Sequence, residues 1–386
     1  MKKHDYVTRI VTSPSDLDAV AWNGLLKLQS HSTPFMQHAY LLALQASGSA
    51  TPKTGWTSYF ITIEQQDTLV AACVVYLKDH SYGEYVFDWA WANAYQQHGL
   101  AYYPKALVAV PFTPVPGTRL LATDQKARSA LLQALLNWCK SIGVSSLHLL
   151  FLSDDDVEAC TNQGLLLRHT VQFHWHNVDT GYRDFDHFLS SLSQDKRKKI
   201  KQERRKVDQA GVSFTYKTGH QIEAHDWEFF YRCYERTYLE HGNAPYLTWE
   251  FFKSMADTLS ENWLLCLAMR DGKRIASSLI ALNAVDKVAY GRYWGAMERV
   301  DCLHFELCYY QPLQWCIEQG YRSFEGGAQG EHKMARALMP VKTTSAHWLL
   351  HDAFSSAVAD FLEREGLHIN HYVEQLEQRN PFKKSI

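Results

Sequence analysis

Apolar positions change period along the chain in a set order. Residues 6–11 alternate as a short strand, after which Ser13-Pro14-Ser15-Asp16 supplies helix-start chemistry and predicts helices through Leu28 and over 35–46. Segments 56–64, 69–77 and 84–89 are rich in aromatic and β-branched residues with turn breaks between them, and predict three consecutive antiparallel strands. Residues 102–121 hold four prolines, which forbid a regular helix and predict an extended, partly buried loop carrying Lys105 and Arg119. A helix over 126–142 closed by Gly143, a strand at 146–152, a helix capped at Ser153 and strands at 165–169 and 171–178 finish the first half.

The second half runs through the same order: strand 212–217, helices 224–241 and 248–259, strands 264–269, 275–283 and 288–294, a helix over 303–319, then a short strand and the polar stretch 325–336. Letters repeat with the pattern. Val70-Ala71-Ala72, Tyr85 and Trp89-Ala90 fall over Ile275-Ala276-Ser277, Tyr290 and Trp294-Gly295 at a shift of 205, and Trp138-Cys139 over Trp315-Cys316 at a shift of 177. The difference of 28 residues marks an insertion in the first copy, which this reading assigns to the Pro-rich segment 101–121. The expectation is an α/β duplication with domains 1–180 and 181–386, each in the element order of the acetyltransferase (GNAT) fold: mixed, mostly antiparallel sheets flanked by helices.

Composition narrows the class. Of 386 residues 46% are hydrophobic and 21% charged, as in a well-packed globular protein, and a net charge of −2 exerts no global pull on nucleic acid. No apolar run follows the basic N-terminus and none approaches ~18 residues, so the reading is a soluble, cytoplasmic chain without a transmembrane segment. The eight cysteines form no CxxC pair, and His174/His176 and His368/His371 lack a third ligand nearby, so neither disulfides nor a metal is expected.

Four stretches carry a resemblance: HSYGEYVFDWAWANAYQQHGLAYYPKALVAVPFTP (80–114), KRKKIKQERRKV (196–207), GRYWGAMERVDCLHFELCYYQP (291–312) and FEGGAQGEHKMARALMP (324–340). Through them essentially the whole chain resembles the FemAB-like family of N-acyltransferases, which carry two GNAT-like domains in tandem. The resemblance implies transfer of an acyl or aminoacyl group from acyl-CoA or aminoacyl-tRNA to an amine of a small-molecule, peptide or cell-wall-precursor acceptor. One departure stands out. GNAT enzymes using acetyl-CoA carry a Gln/Arg-x-x-Gly-x-Gly/Ala turn after the fourth strand, where backbone N–H groups hold the pyrophosphate. Residues 294–301 (WGAMERVD) and 89–93 (WAWAN) lack those glycines, which puts that mode of CoA binding in question for both copies. A binding protein that kept the fold and recognises a phosphorylated or peptidoglycan-like ligand without catalysis is the rival reading.

Acyl transfer to an amine needs a proton acceptor and donors for the oxyanion. Where the first copy has a capped helix, the second has the polar loop GGAQGEHKMARALMP, so the catalytic candidates are Glu325, Glu331, His332 and Lys333, with Gln329 and Arg336 beside them. His332 or Glu331 would take the proton and Lys333 would hold the oxyanion or a donor phosphate. Arg292, Tyr293 and Trp294 end the fourth strand, and His304 and Glu306 open the next helix, so they are expected to share the cleft. Pro312 predicts a kink or restart in that helix. In the first copy Asp88, Tyr102, Tyr103 and Lys105 suit an acceptor groove, or core packing. The segment DKRKKIKQERRK, within a predicted helix over 195–210, offers Lys196, Arg197, Lys199, Arg204 and Arg205 to phosphates of a tRNA, a nucleotide-linked precursor or CoA, unless it is a solvated helix between domains.

Overall fold

The computed structural model describes residues 6–328 and 330–383. Its strands are β1 (Tyr6–Val11), β2 (Trp56–Gln65), β3 (Thr68–Lys78), β4 (Lys105–Val108), β5 (Leu121–Ala122), β6 (Ser146–Leu149), β7 (Leu166–His176), β8 (Ser213–Thr218), β9 (Trp263–Arg270), β10 (Lys273–Asn283), β11 (Val288–Ala296), β12 (Ser323–Ala328) and β13 (Met339–Leu349). Two compact units divide the chain: Met1–Thr170 with Lys342–His371, and Val171–Val341 with Tyr372–Ile386. They are discontinuous in sequence, where contiguous domains 1–180 and 181–386 were expected.

In the first unit β1, β2 and β3 form an antiparallel meander, β4 pairs antiparallel with β3 and parallel with β6, and β6 is covered antiparallel by β13 through His148↔His347. The helix Gln125–Ile142 packs Leu131, Leu132 and Leu135 against this sheet. Residues 84–89 are not the fourth strand. Gly83 and Tyr85 turn the chain with φ of 81° and 65°, and a helix, Trp89–Gln97, follows. The reason is electrostatic: Glu84 and Asp88 are drawn inward to Lys105, which starts the actual fourth strand. This relocates the insertion. β3 lies over β10 at a shift of 205, but Tyr76↔Leu107 and Ala281↔Tyr290 place β4 over β11 at 183, so 22 of the 28 extra residues fall between β3 and β4.

In the second unit β8, β9, β10 and β11 form the meander, β12 pairs parallel with β11, and residues 171–176 of β7 cover β12 antiparallel. In each unit, then, the strand beside β6 or β12 is supplied from the other half of the sequence, which leaves neither β6 nor β12 as an open edge. Among the described residues no helix is long and apolar enough to cross a membrane.

Candidate active site

Among the described residues β11 and β12 pair at three positions, Val288↔Ser323, Ala289↔Phe324 and Tyr290↔Glu325. Two irregularities then separate them. Leu279 faces Tyr293 and Ile280 faces Gly291, so Arg292 is the extra residue of a bulge that bends β11. β12 breaks at Gly326-Gly327, where its register with β7 also shifts. A cavity of about 170 Å³ opens in the gap, walled by Gly291 to Trp294, His304, Cys308, Tyr309, Phe324 and Lys333. Two glycines let the walls approach: a Cβ on Gly291 would lie 2.9 Å from Phe324 Cζ, and one on Gly326 2.4 Å from Leu338 Cδ2.

The helix over 303–318 begins as Leu303–Phe305, makes one π turn at Glu306–Tyr310 and resumes at Gln311–Glu318. Pro312 has no N–H to give, Ser278 Oγ donates to Leu307 O at 2.6 Å, and the Gln311 N–H reaches back to Glu306 O. The π turn thus absorbs the proline that predicted a kink. It also sorts the side chains. His304, Cys308 and Tyr309 face the cavity, while Glu306 and Tyr310 meet the helix Gln194–Gln209. His304 stands edge-on to Trp294 at 4.8 Å between ring centroids, and burial, reinforced by His332, Arg336 and Lys333, pushes it down to about 4. It is neutral at neutral pH.

The polar loop forms the 3₁₀ turns Glu331–Arg336. Lys333 Nζ reaches back to the carbonyls of Gly326 (2.6 Å) and Gly327 (3.3 Å), and burial lowers it to about 8. Arg336 is buried with its guanidinium 3.6 Å from the Phe305 ring centroid, and donates to His332 O and to both oxygens of Glu203. His332 is exposed, with Nε2 3.3 Å from the Tyr309 hydroxyl.

Of the expected residues, Arg292, Tyr293, Trp294, His304 and Lys333 line the cavity, and His332 meets it through Tyr309. Four do not line it. Phe324 and Gly326 face it, so strand alternation turns Glu325 away, to where its carboxylate lies 3.9 Å from His174 and burial lifts it to about 8. Glu331 is exposed and accepts from Tyr372 and Arg379. Arg336 is occupied by Glu203. Glu306 lines a separate cavity of about 620 Å³, where it binds Arg204 at 3.0 Å. There the carboxylates of Asp184, Asp186, Asp208, Glu306 and Glu318 outnumber Lys201, Arg204 and Arg205, so the cavity does not present Arg204 and Arg205 as a phosphate cradle. Lys196, Arg197 and Lys199 occupy the first turns of that helix, outside this cavity. Gln329 lies outside the described residues.

The first-unit candidates form a different object. Lys105 is fully buried and donates to Ser81 (2.7 Å), Glu84 (2.7 Å) and Asp88. The Tyr102 hydroxyl donates to Asp88 at 2.6 Å and lies 3.1 Å from His148, whose Nδ1 is 2.7 Å from that of His347; Tyr103 meets Ser81. Burial raises Glu84 to about 7; at Asp88 burial also pushes upward, but the Lys105 charge together with His148 and hydrogen bonds from Lys105 and Ser81 holds it well below the carboxylate range. Sequence reading missed His148, His347, Cys308, Tyr309 and Glu203. Only Cys308, four residues beyond His304 on one helix face, had a local signal.

No curated protein matches the sequence. Among solved structures the chain is similar to FemX, at a TM-score of 0.53 and 9% identity over 91% of this chain and 100% of FemX. It is equally similar to L-PGS from Bacillus licheniformis (0.53, 10% identity, 89% and 97% covered) and resembles a protein of unknown function from Bacteroides thetaiotaomicron VPI-5482 (0.51, 10%, 86% and 98%). At such identities these likenesses speak for the fold alone. Residues 13–384 match the FemAB-like family, described as peptidoglycan biosynthesis/recognition, and the chain belongs to that family.

Proposed function

We propose that the second unit is an N-acyltransferase, moving an acyl or aminoacyl group from acyl-CoA or aminoacyl-tRNA to an amine of a small-molecule, peptide or cell-wall-precursor acceptor. The observation that carries this reading is the gap between the parallel strands β11 and β12, which opens onto a small cavity with Lys333 in its wall and a neutral His304 beside it. Attack of the amine nitrogen on the acyl carbon forms the C–N bond, displaces electrons onto the carbonyl oxygen and then breaks the ester or thioester bond. A Lys333 ammonium in a poorly hydrated wall opposes that negative charge more strongly than it would in water. Of the two donors, the aminoacyl ester is favoured by residues 297–302, which contain no glycine to admit a pyrophosphate. The half-buried Lys196 and Arg197 and the exposed Lys199 suit a polyanionic donor or precursor. In this reading the chain is a duplication whose second copy is active, and it works in the cytoplasm, where both donors are made.

To test it, the purified protein is incubated with acyl-CoAs and with aminoacyl-tRNAs in the presence of peptide and cell-wall-precursor amines, and mass shifts of the acceptors are followed. Transfer from one donor class, lost when the cavity is filled, supports the proposal. Saturable binding of donors with no mass gain on any amine would favour the non-catalytic reading instead.

A further inference from the structure

The proposed transfer must take a proton from the acceptor amine, and this inference rests on that reading. Among the described residues the cavity wall offers no good base of its own. Lys333 is largely protonated at neutral pH and has its hydrogens on carbonyls of β12. His304 is neutral, but it is packed among Trp294, Phe305 and Tyr309 and faces Lys333, Arg336 and His332, so a proton there would be a buried cation beside other cations. One group in the wall has a route outward. Tyr309 is 5% exposed and lines the cavity, and its hydroxyl is 3.3 Å from Nε2 of His332, which is exposed.

We infer that Tyr309 and His332 form a two-step proton relay from the cavity to solvent. The amine N–H bond breaks as the Tyr309 hydroxyl oxygen gains that proton, and the hydroxyl's own proton passes to His332 Nε2. Tyr309 ends unchanged. His332 becomes an imidazolium, releases its Nδ1 proton to water, and regains the Nδ1–H tautomer by exchanging protons with solvent, to which it is exposed. The relay requires His332 to be neutral with its proton on Nδ1, so that Nε2 accepts. Burial, with Arg336 and Lys333 nearby, does lower His332. Burial also raises the Tyr309 phenol, which suits a group that passes a proton without resting as phenolate. Tyr309 is thus a catalytic residue, and His332 acts through it.

Two measurements decide the matter. The first needs no substrate: the pKa of His332 is followed by NMR in wild type and in Tyr309→Phe, with the signal assigned by its loss in His332→Asn. A hydroxyl donating to Nε2 stabilises the neutral ring, so Tyr309→Phe should raise the His332 pKa; an unchanged value overturns the relay. The second is the transfer assay. Tyr309→Phe should lower kcat about 10²- to 10³-fold with little change in KM. His332→Ala should fall similarly and recover with added imidazole, and the acid limb of the wild-type pH profile should follow the His332 pKa. A wild type that transfers while Tyr309→Phe keeps its rate and His304→Gln loses it overturns the relay and makes His304 the base. A wild type that transfers to no amine sinks the proposed function and the use of the relay with it, so the two failures differ in the behaviour of the unmutated protein.

Discussion

The loop that carries Lys333 and His332 is held by one buried ion pair, and cutting it from either side should show this. Arg336 is 2% exposed and bonds Glu203 at 2.9 and 3.1 Å, and Glu203, 8% exposed, also accepts from the Tyr310 hydroxyl. Removing one partner leaves the other charge buried and unpaired, at a cost of about 3–5 kcal/mol. For a unit of this size each kcal/mol lowers Tm by about 2–4 °C, so Arg336→Met and Glu203→Leu should each lose roughly 6–20 °C. Arg336→Met keeps an apolar side chain on Phe305, so most of its loss is electrostatic. The double variant removes both charges together and leaves the Tyr310 hydroxyl without its acceptor and the His332 carbonyl without its Arg336 donor, a loss of about 1 kcal/mol each. Its destabilisation should therefore be smaller than the sum of the singles by ~2 kcal/mol or more. Urea unfolding of the four proteins completes the cycle. Additivity within about 0.5 kcal/mol would mean that the pair is not coupled and that something else positions the loop.

Lys333→Met strands the Gly326 and Gly327 carbonyls at about 1–3 kcal/mol each, so both Tm and transfer should fall; an unaltered Tm would show that Nζ does not hold β12. Cys308→Phe should fill the cavity and abolish transfer with the fold intact by circular dichroism, and full activity would place the acyl group elsewhere. Burial pushes His148 down to about 3, below its unfolded value of 6.5, so the unfolded chain binds more protons between those values. The stabilisation is complete above pH 6.5 and is lost as pH falls toward 3, by up to about 1.4 kcal/mol per unit. His148→Gln with His347→Gln should flatten that acid limb, and an unchanged limb would refute the buried neutral pair.

Periodicity found what is local. β2, β3, β9 and β10 and the packed face of the helix over 303–318 follow from alternation and i, i+4 spacing. The features it missed depend on distant partners. Lys105 meets Glu84 across 21 positions of sequence and His148 meets His347 across 199, so nothing near residue 84 announces that its carboxylate turns inward. The strands that cover β6 and β12 come from the opposite half of the sequence, which a window of ten residues cannot see. Within the site, the loop and the strand end were legible as a dense polar motif, and Lys333 and Arg292 sit in the cavity wall. Glu325 is the instructive miss. Its neighbours Phe324 and Gly326 alternate toward the cavity, and counting faces along the strand would have turned Glu325 away from it.

The two units share an order of elements and differ in what happens past the parallel strand pair. In the first unit the ladder of β4 and β6 continues, because Leu150 N donates to Val108 O at 3.0 Å. Residues 115–120 then run beside the end of β6: Gly117 bridges Leu152 in parallel and Gly117 N donates to Phe151 O. Arg119, 1% exposed, seals the arrangement with hydrogen bonds to Leu150 O and Val115 O. The chain's own proline-rich segment thus lies where the second unit has its gap. Among the described residues of the second unit nothing equivalent enters: β11 bulges at Arg292, β12 breaks at two glycines, and the place of a capped helix is taken by a loop whose lysine closes back on β12. A group transfer requires space for an acyl carbon beside polar groups that are not wholly engaged with one another. The buried charges of the first unit are largely spent on each other, and the cavity of the second is lined by groups that face into it, which is why the chemistry is proposed for that unit.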